Sequence, residues 1–148
     1  MKTKIPPPLI GLTFILINYL STFLFESVSF QYQEIISLLI LSSGFLIIVT
    51  AARLFSRYKT IISPITPEKS TSLVTEGVFS FSRNPMYLGM LIIITSSSIF
   101  FATWVGLLLI ILFIVIINFF QIEPEEEMMR QLFGEEYEAY TSKVRRWI

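Results

Sequence analysis

Two polar segments that directly adjoin long apolar runs carry the residue types best suited to chemistry. The first, residues 82–89, reads Ser-Arg-Asn-Pro-Met-Tyr-Leu-Gly. Asn84 is a favourable N-cap and Pro85 a favourable first helical residue, so the pattern predicts a helix that begins here. Backbone N–H groups at a helix start bind anions, Arg83 adds a positive charge, and Tyr87 adds a hydroxyl. The same pattern also fits a plain helix start at a membrane surface, with Arg83 among lipid headgroups.

The second polar segment, residues 123–127, reads Glu-Pro-Glu-Glu-Glu and follows the last apolar run. Acidic residues are favourable in the first turn of a helix, and Glu126 would then pair with Arg130 one turn later. Alternatively, Glu123 and Glu126 lie where a helix leaves a bilayer. Beside that region of low dielectric constant, carboxylates strongly attract a cation such as a sulfonium or an ammonium. The residues alone leave both interpretations open.

A third segment, residues 73–79, reads Leu-Val-Thr-Glu-Gly-Val-Phe. It indicates a short extended piece with a turn at Gly77, because glycine adopts the backbone conformations that turns require. A loop that packs its apolar residues on a helical bundle would have the same pattern, so this segment is not specific by itself.

The composition restricts the kind of chemistry that is possible. The chain has 148 residues, enough for one domain, and lacks both cysteine and histidine. Thiolate nucleophiles, cysteine metal sites and the commonest general base are therefore excluded, and no metal site is expected. The formal net charge is zero, which gives no support to a nucleic-acid partner. Any chemistry must therefore depend on carboxylates, hydroxyls, amides, basic side chains and a bound cofactor.

Hydropathy predicts an all-α integral membrane protein. Hydrophobic residues make up 53% of the chain and charged residues 15%, whereas a soluble domain has about 25% charged residues. About 20 mostly apolar residues cross a bilayer, and four segments qualify as spans. These are residues 9–25, 35–55, 86–102 and 105–122. The last two are separated by so short a turn that they must form a helical hairpin. A cleaved signal peptide is the alternative for the first segment.

The positions of lysine and arginine predict the orientation in the membrane. All of them fall on one side if both termini are cytoplasmic, whereas the loop at residues 26–34 has two acids and no base. The basic residues are Lys2, Lys4, Arg53, Arg57, Lys59, Lys69, Arg83, Arg130, Lys143, Arg145 and Arg146. The connection at residues 56–85 and the tail at residues 123–148 are then cytoplasmic, and so is any site that they form.

The tail carries an amphipathic pattern. Phe133, Tyr137, Tyr140 and Val144 recur at helical spacing, and Gly134 predicts a break that divides the tail into two helices. These helices would cover the cytoplasmic end of the bundle or lie in the membrane interface. Basic and aromatic residues at 145–147 suit an interfacial anchor.

Taken in order, these segments resemble the isoprenylcysteine carboxyl methyltransferase family, especially its short prokaryotic branch, which is related to phospholipid N-methyltransferases. The resemblance covers residues 59–148 and depends on Leu-Val-Thr-x-Gly-Val-Phe, Arg-Asn-Pro-Met-Tyr-x-Gly, a helical hairpin, a Glu-Glu pair and Phe-Gly-Glu-Glu-Tyr-x-x-Tyr. It implies a membrane helical bundle without a Rossmann domain that binds S-adenosyl-L-methionine between the last two spans, the preceding loop and the C-terminal helices.

Carried over residue by residue, the resemblance implies a set of site residues. Arg83, Tyr87 and Glu126 are expected to act in catalysis. The cofactor is expected to contact Ser72, Leu73, Val74, Gly77, Phe79, Asn84, Pro85, Met86, Tyr87, Glu123 and Glu126.

The chain departs from the family pattern at three positions. Asn84 stands for a histidine, Phe79 for a tyrosine of the eukaryotic enzymes, and Phe119 for an arginine that the family uses towards its substrate. The last change weakens the case for an isoprenylcysteine carboxylate as the substrate.

The sequence therefore predicts a membrane methyltransferase that uses S-adenosylmethionine and an amphiphilic acceptor from the bilayer. Direct displacement at a methyl carbon depends on alignment more than on acid–base groups, so the lack of histidine is no obstacle. The acceptor atom is left open among carboxylate, amine and thiol, and the oligomeric state is left unassigned. The alternatives are a phospholipid or small-molecule N- or S-methyltransferase, a non-catalytic membrane binding protein on the same scaffold, and a transporter subunit. No span carries a central charge that would mark an ion path.

The predicted topology can be tested with reporter fusions. A reporter after Ser29 is expected to be outside the cytoplasm, and reporters near Ser70 and at the C-terminus are expected to be inside, because the basic residues stay on the cytoplasmic side. A cytoplasmic signal from the Ser29 fusion would reject the four-span arrangement.

Overall fold

The computed structural model describes residues 5–58 and 72–148, and within them all regular structure is helical. This confirms the all-α fold class. The helices are α1 (Pro7–Ser21), α2 (Gln33–Arg57), a 3₁₀ turn (Gly77–Ser80), α3 (Pro85–Phe101), α4 (Val105–Ile117), a π-helical turn (Asn118–Ile122) and α5 (Glu123–Thr141). The positions of Lys2, Lys4, Lys59 and Lys69, used above for orientation, lie outside the described residues.

In the described part of the chain, two helices are long and apolar enough to cross a membrane. One is α2, and the other is Val105–Thr141, which comprises α4, the π turn and α5 and is kinked at Gly134. α1 and α3 are apolar too, but have 15 and 17 residues. At 1.5 Å per residue α1 is about 22 Å long, less than the roughly 30 Å of a bilayer core. The arrangement with four spans stays a prediction.

The faces of α2 and α4 that point away from the bundle are apolar. Large exposed hydrophobic residues on them are Ile35, Leu38, Leu39, Phe45, Leu46, Leu107, Leu108, Ile111 and Leu112. Exposure of this many apolar side chains would make a soluble protein aggregate, whereas it is the normal condition of a helix surface in lipid. The surface thus agrees with a membrane location.

α2 and α3 approach closely at two glycines. A Cβ built on Gly44 would lie 2.8 Å from the carbonyl oxygen of Gly89, and one built on Gly89 would lie 2.5 Å from Cγ1 of Ile48. Only a residue without a side chain permits two helix backbones to come so near. Small residues are the usual means of packing helices in membranes, where lipid removes the hydrophobic driving force between them.

α3 and α4 form the tight hairpin that the sequence predicted. α3 ends at Ala102, which has a left-handed backbone (φ 51°) and whose N–H donates to the carbonyl of Ser98 at 3.0 Å. α4 begins three residues later. Gly106 sits so close to Ser98 that a Cβ there would lie 2.6 Å from the serine Cβ, so the two helices meet immediately after the turn.

α1 is attached to this hairpin by a buried amide. Asn18 is fully buried, and its Nδ2 donates to the hydroxyls of Ser97 and Ser98 at 3.1 and 3.2 Å. Its Oδ1 accepts from the hydroxyl of Thr103 at 3.3 Å, and that hydroxyl also lies 2.8 Å from Ser21 Oγ. A buried amide without partners would cost about 1–3 kcal/mol, so this fully bonded group fixes the position of α1.

The tail folds as its pattern predicted. Gly134 has φ 50° and ψ −122°, which divides α5 into two segments. Beyond it, Tyr137, Tyr140 and Val144 are buried together. The Tyr140 hydroxyl donates to the carbonyl of Phe79 in the 3₁₀ turn at 2.6 Å. The second half of α5 therefore packs over the segment that precedes α3.

The glycine contact between α2 and α3 can be tested by adding one carbon atom. Gly89→Ala is expected to lower the melting temperature in detergent, because overpacking of this kind typically costs about 1–3 kcal/mol and the carbonyl of Gly44, a backbone atom, cannot easily move. The measurement is thermal unfolding of the purified protein.

Gly11→Ala is the matched control. Its new Cβ would meet only Cε of Met90, the flexible end of a side chain, at 3.1 Å, and alanine favours helices over glycine. An equal loss of stability in both variants would contradict the proposed importance of the α2–α3 contact.

Candidate functional site

Glu126, which belongs to α5, lies between two arginines beside the start of α3. Its side chain is 4% exposed. Oε1 is 3.0 Å from Nη2 of Arg83 and 3.2 Å from Nε of Arg146, and Oε2 is 2.8 Å from Nη2 of Arg146. A buried carboxylate needs such partners because desolvation of an unpaired charge is very costly. The expected pairing of Glu126 with Arg130 is wrong: Arg130 instead contacts Glu127 and Glu138 on the exposed side of α5.

The second arginine also contacts a second acid. Arg146 Nη1 lies 3.7 Å from Oε1 of Glu123, whose side chain is half exposed. The hydrogen bond to Glu126 raises the pKa of Arg146 above its usual value, so its charge is permanent. Two carboxylates and two guanidinium groups thus form one cluster, with Glu126 inside and Glu123 at the surface.

Residues 145–147 contact the two residues that precede α3 and the π turn. The N–H of Arg83 donates to the carbonyl of Arg145 at 3.1 Å, and Nδ2 of Asn84 donates to the carbonyl of Arg146 at 3.0 Å. The indole N–H of Trp147 donates to Oδ1 of Asn118 in the π turn at 3.1 Å. These residues therefore bind to the protein itself, and the interfacial anchor stays a prediction.

Asn84 stands immediately before α3, as predicted, but the expected side-chain cap is absent. No side chain caps the helix, and the amide of Asn84 is directed at Arg146 instead. Pro85 is the first helical residue, as predicted, and has no N–H. The first-turn N–H groups that follow it have no acceptor within the helix.

Next to this cluster, a short hydrogen bond joins α3 to α5. The hydroxyl of Tyr87, which is buried, donates to Oε1 of Glu125 at 2.6 Å. Burial raises the pKa of Glu125 to about 7; the bond from Tyr87 lowers it and the charge of Glu126 raises it. In the described residues, no arginine or lysine pairs with Glu125.

Two tyrosines of α5 border the cluster. Burial, together with the negative charge of Glu126, raises the pKa of Tyr137 to about 12, and burial raises that of Tyr140 further. Both phenols therefore stay neutral at physiological pH.

The residues predicted in the loop form an apolar layer beside the charged cluster. Val74 and Phe79 are buried with Ala51 of α2, and Met86 packs against them. Leu73 packs against the tyrosines of the tail. Gly77 has φ 59°, which confirms the turn predicted there.

The structure therefore brings one group of the predicted site residues into a single charged cluster, with Tyr87 next to it and the loop residues lining one side. Arg83, Glu123 and Glu126 belong to this cluster, and the amide of Asn84 adjoins it through the carbonyl of Arg146. Ser72 lies apart from it, with its hydroxyl 3.4 Å from the carbonyl of Tyr58 at the end of α2. The roles of all these residues stay predictions.

Two central residues were missed by sequence reasoning. Arg146 was interpreted only as an anchor, and Glu125 only as one acid of a run. One signal was present for Arg146: an acid at a membrane boundary needs a counter-charge, and the tail contains few bases. No comparable signal marks Glu125, because Glu123, Glu125 and Glu126 differ only in which direction each faces.

Comparisons with known proteins agree with this architecture. The profile of the phospholipid methyltransferase family matches residues 32–136. An uncharacterized protein of Haemophilus influenzae is 41% identical over 63 residues, which are 43% of this chain and all of that protein. A protein named probable protein-S-isoprenylcysteine O-methyltransferase, found in both the indica and the japonica subspecies of Oryza sativa, is 31% identical over 99 residues. That match covers 67% of this chain and half the length of the rice proteins. No solved structure matches the chain.

The buried carboxylate can be tested for its role in the fold. Glu126→Gln is expected to reduce the free energy of unfolding by about 2–4 kcal/mol, because it leaves the guanidinium of Arg83 buried without a counter-charge. Thermal unfolding in detergent measures the change.

Glu127→Gln is the control, since it makes the same chemical change at the next position. Its side chain is 62% exposed, and an exposed pair contributes less than about 1 kcal/mol. Equal, small effects in both variants would mean that the arginine pairs at Glu126 are unimportant for stability.

Proposed function

Because this chain belongs to the phospholipid methyltransferase family, we propose that it is an integral membrane methyltransferase that uses S-adenosylmethionine and an amphiphilic acceptor. The observation that carries the proposal is the buried Arg83–Glu126–Arg146 cluster at the first turn of α3. A cluster of alternating charge beside a helix N-terminus suits a ligand that itself carries both a carboxylate and positive charges.

The residues present fit such a cofactor. Nε of Arg83 is buried and has no hydrogen-bond partner among the described residues, so it can donate to a ligand. The N–H groups of the first turn of α3, which have no side-chain cap, provide a second set of donors. Together they would bind the carboxylate of the methionine part.

The acidic side of the cluster supplies the complementary charge. Glu123 is half exposed and holds Arg146 only at 3.7 Å, so its carboxylate is available to a ligand. It would accept hydrogen bonds from the amino or ribose groups, with Glu126 behind it. The apolar layer formed by Val74 and Phe79 suits the adenine ring.

When bound, S-adenosylmethionine supplies a methyl group on a positively charged sulfur, ready for direct displacement. The task of the chain is to hold this group in line with the acceptor and to exclude water, and alignment alone contributes a large part of such a rate. The rigid frame is provided by α3 and α5, which are connected by the charged cluster and by the bond between Tyr87 and Glu125.

The acceptor would enter from the bilayer. Phe119 and Phe120 of the π turn are exposed near the end of α4, and they continue its apolar face towards the site. At position 119 the family has an arginine, and without that charge an acceptor carboxylate has less to hold it. This supports an N- or S-methyltransferase as the alternative to a carboxyl methyltransferase.

A non-catalytic binding protein on the same scaffold is the remaining alternative. Calorimetry with S-adenosylmethionine measures whether the protein binds this cofactor. Transfer of label from the methyl-labelled cofactor into a lipid extract then separates an enzyme from a binding protein. Binding without transfer to any component of the extract would favour the non-catalytic alternative.

Arg83→Lys tests the position of the cofactor. Lysine keeps the charge that pairs with Glu126 but loses the second, directional donor that suits a carboxylate. We expect the free energy of binding S-adenosylmethionine to weaken by about 1–3 kcal/mol. The melting temperature of the cofactor-free protein should stay close to that of the parent protein.

Arg130→Lys makes the same change at an exposed position of α5 and should leave the affinity unchanged. Asn84→Asp is a poorer test, because it would also remove the hydrogen bond to the carbonyl of Arg146. Unaltered cofactor binding by Arg83→Lys would mean that the start of α3 is not where the carboxylate is held.

A further inference from the structure

The charged cluster beside the start of α3 is closed off from water in this structure. The side chain of Glu126 is 4% exposed and that of Arg83 is 13% exposed, and Nε of Arg83 is buried. A water-soluble cofactor cannot contact these groups unless part of their cover moves. The cover includes residues 145–148, which are called the strap below.

The strap is joined to the rest of the protein by contacts that are few and individually weak. Its backbone carbonyls accept hydrogen bonds from the N–H of Arg83 and the side-chain amide of Asn84, at 3.1 and 3.0 Å. Its Trp147 packs half-buried against the apolar core, and the indole N–H donates to Oδ1 of Asn118 at 3.1 Å. Because α5 ends at Thr141, the strap can move away without any helix unwinding.

The side chain of Arg146, which belongs to the strap, can leave the cluster without leaving a buried charge unpaired. Glu126 contacts two guanidinium groups, and that of Arg83, at 3.0 Å, comes from the residue pair before α3 and would remain. Of the two arginines, Arg146 is the more exposed, 32% against 13%. The large cost of a buried carboxylate arises when it has no counter-charge. Opening of the strap avoids that cost because one arginine stays.

We propose that the strap is a latch, which opens to admit S-adenosylmethionine to the cluster and closes over it, with the bond between Trp147 and Asn118 holding it shut. This inference rests on the proposed function and adds to it the route by which the cofactor enters. A closed strap would exclude water during transfer, and an open one would permit exchange of the spent cofactor. The competing explanation is a fixed wall, in which the strap does not move and the cofactor enters elsewhere.

Trp147 can report the position of the strap directly. The chain has two tryptophans, and the other, Trp104, is exposed at the turn between α3 and α4. Trp104→Phe therefore leaves Trp147 as the single indole. Rapid mixing of this variant with S-adenosylmethionine, followed by the fluorescence of Trp147, measures the association and dissociation rate constants of the cofactor. We expect the fluorescence to change on binding, because the cofactor holds the strap closed.

Asn118→Leu, added to this variant, weakens the latch. Leucine has nearly the size of asparagine but cannot accept the indole N–H of Trp147. Opening then becomes easier in both the empty and the loaded protein. Both rate constants should rise by about 3- to 10-fold, the effect of one hydrogen bond, while the dissociation constant stays nearly unchanged. A fixed wall would leave the association rate constant as it was.

Gln121→Leu is the matched control in the same π turn. It removes a side-chain amide that donates to the carbonyl of Ile5 at 3.2 Å and has no hydrogen bond to the strap. Its rate constants should equal those of the Trp104→Phe protein. Equal acceleration by Gln121→Leu and Asn118→Leu would mean that a loosened π turn explains the effect, and would count against the latch.

A spin label gives a second measurement that leaves Asn118 and Trp147 intact. Since the chain has no cysteine, Ile148→Cys creates a single labelling site at a side chain that is 74% exposed. A latch should give a mobile and an immobile component in the electron paramagnetic resonance spectrum of the cofactor-free protein. Addition of S-adenosylmethionine should reduce the mobile component. A spectrum that the cofactor leaves unchanged would count against movement of the strap.

The outcomes distinguish this inference from the proposed function. Calorimetry on the parent protein first measures whether S-adenosylmethionine binds. Binding together with an unchanged association rate constant in Asn118→Leu and an unchanged spin-label spectrum would overturn the latch and leave the proposed function intact. Absence of binding would reject the proposed function itself, and the inference with it.

Discussion

The arrangement of the site depends on one constraint, which is that a buried carboxylate must have its charge balanced. Glu126 is almost inaccessible to water, and an isolated carboxylate in such a place would neutralise itself or disrupt the fold. Arg83 comes from the residue pair before α3, and Arg146 from the segment after α5, so balancing this charge brings three separate parts of the chain together. Because Glu126 holds Arg146 here, the carbonyl groups of Arg145 and Arg146 accept hydrogen bonds from Arg83 and Asn84, just before α3.

The apolar part of the molecule provides what this cluster needs, a fixed distance between α3 and α5. α3 is held against α2 at Gly44 and Gly89, where no side chain separates the backbones. α5 continues α4 without a break, through a π-helical turn whose Asn118 receives the indole N–H of Trp147. Wider π turns often occur at functional sites, because they redirect side chains without interrupting the helix. Here the turn directs Glu125 and Glu126 at α3.

Much of the fold was predictable from the sequence, whereas the pairing in the site was not. Long apolar runs identified the helices of the bundle, and Gly134 and the apolar side of the tail behaved as predicted, because these are local features. The partner of Glu126 was predicted from local spacing and is wrong, because charge burial decided it and burial depends on the whole fold. Arg146 is 20 residues away in sequence, at a distance where no helical pattern could indicate the contact. The prediction that the Asn84 side chain caps α3 is wrong for the same reason, because that side chain binds the carbonyl of Arg146.

Two adjacent glutamates therefore have opposite surroundings within one helical turn. Glu126 is neutralised by two arginines, while the partner of Glu125 among the described residues is the Tyr87 phenol, with the like charge of Glu126 beside it. Neighbouring carboxyl groups whose environments differ in this way are a common means of obtaining two chemical roles from one residue type. Burial and the charge of Glu126 raise the pKa of Glu125 to about 7, although the hydrogen bond from Tyr87 opposes them. Tyr87 donates the hydrogen bond to Glu125, and Arg83, four residues earlier, supplies a positive charge to Glu126. Both environments therefore depend on one short stretch of the chain at the start of α3.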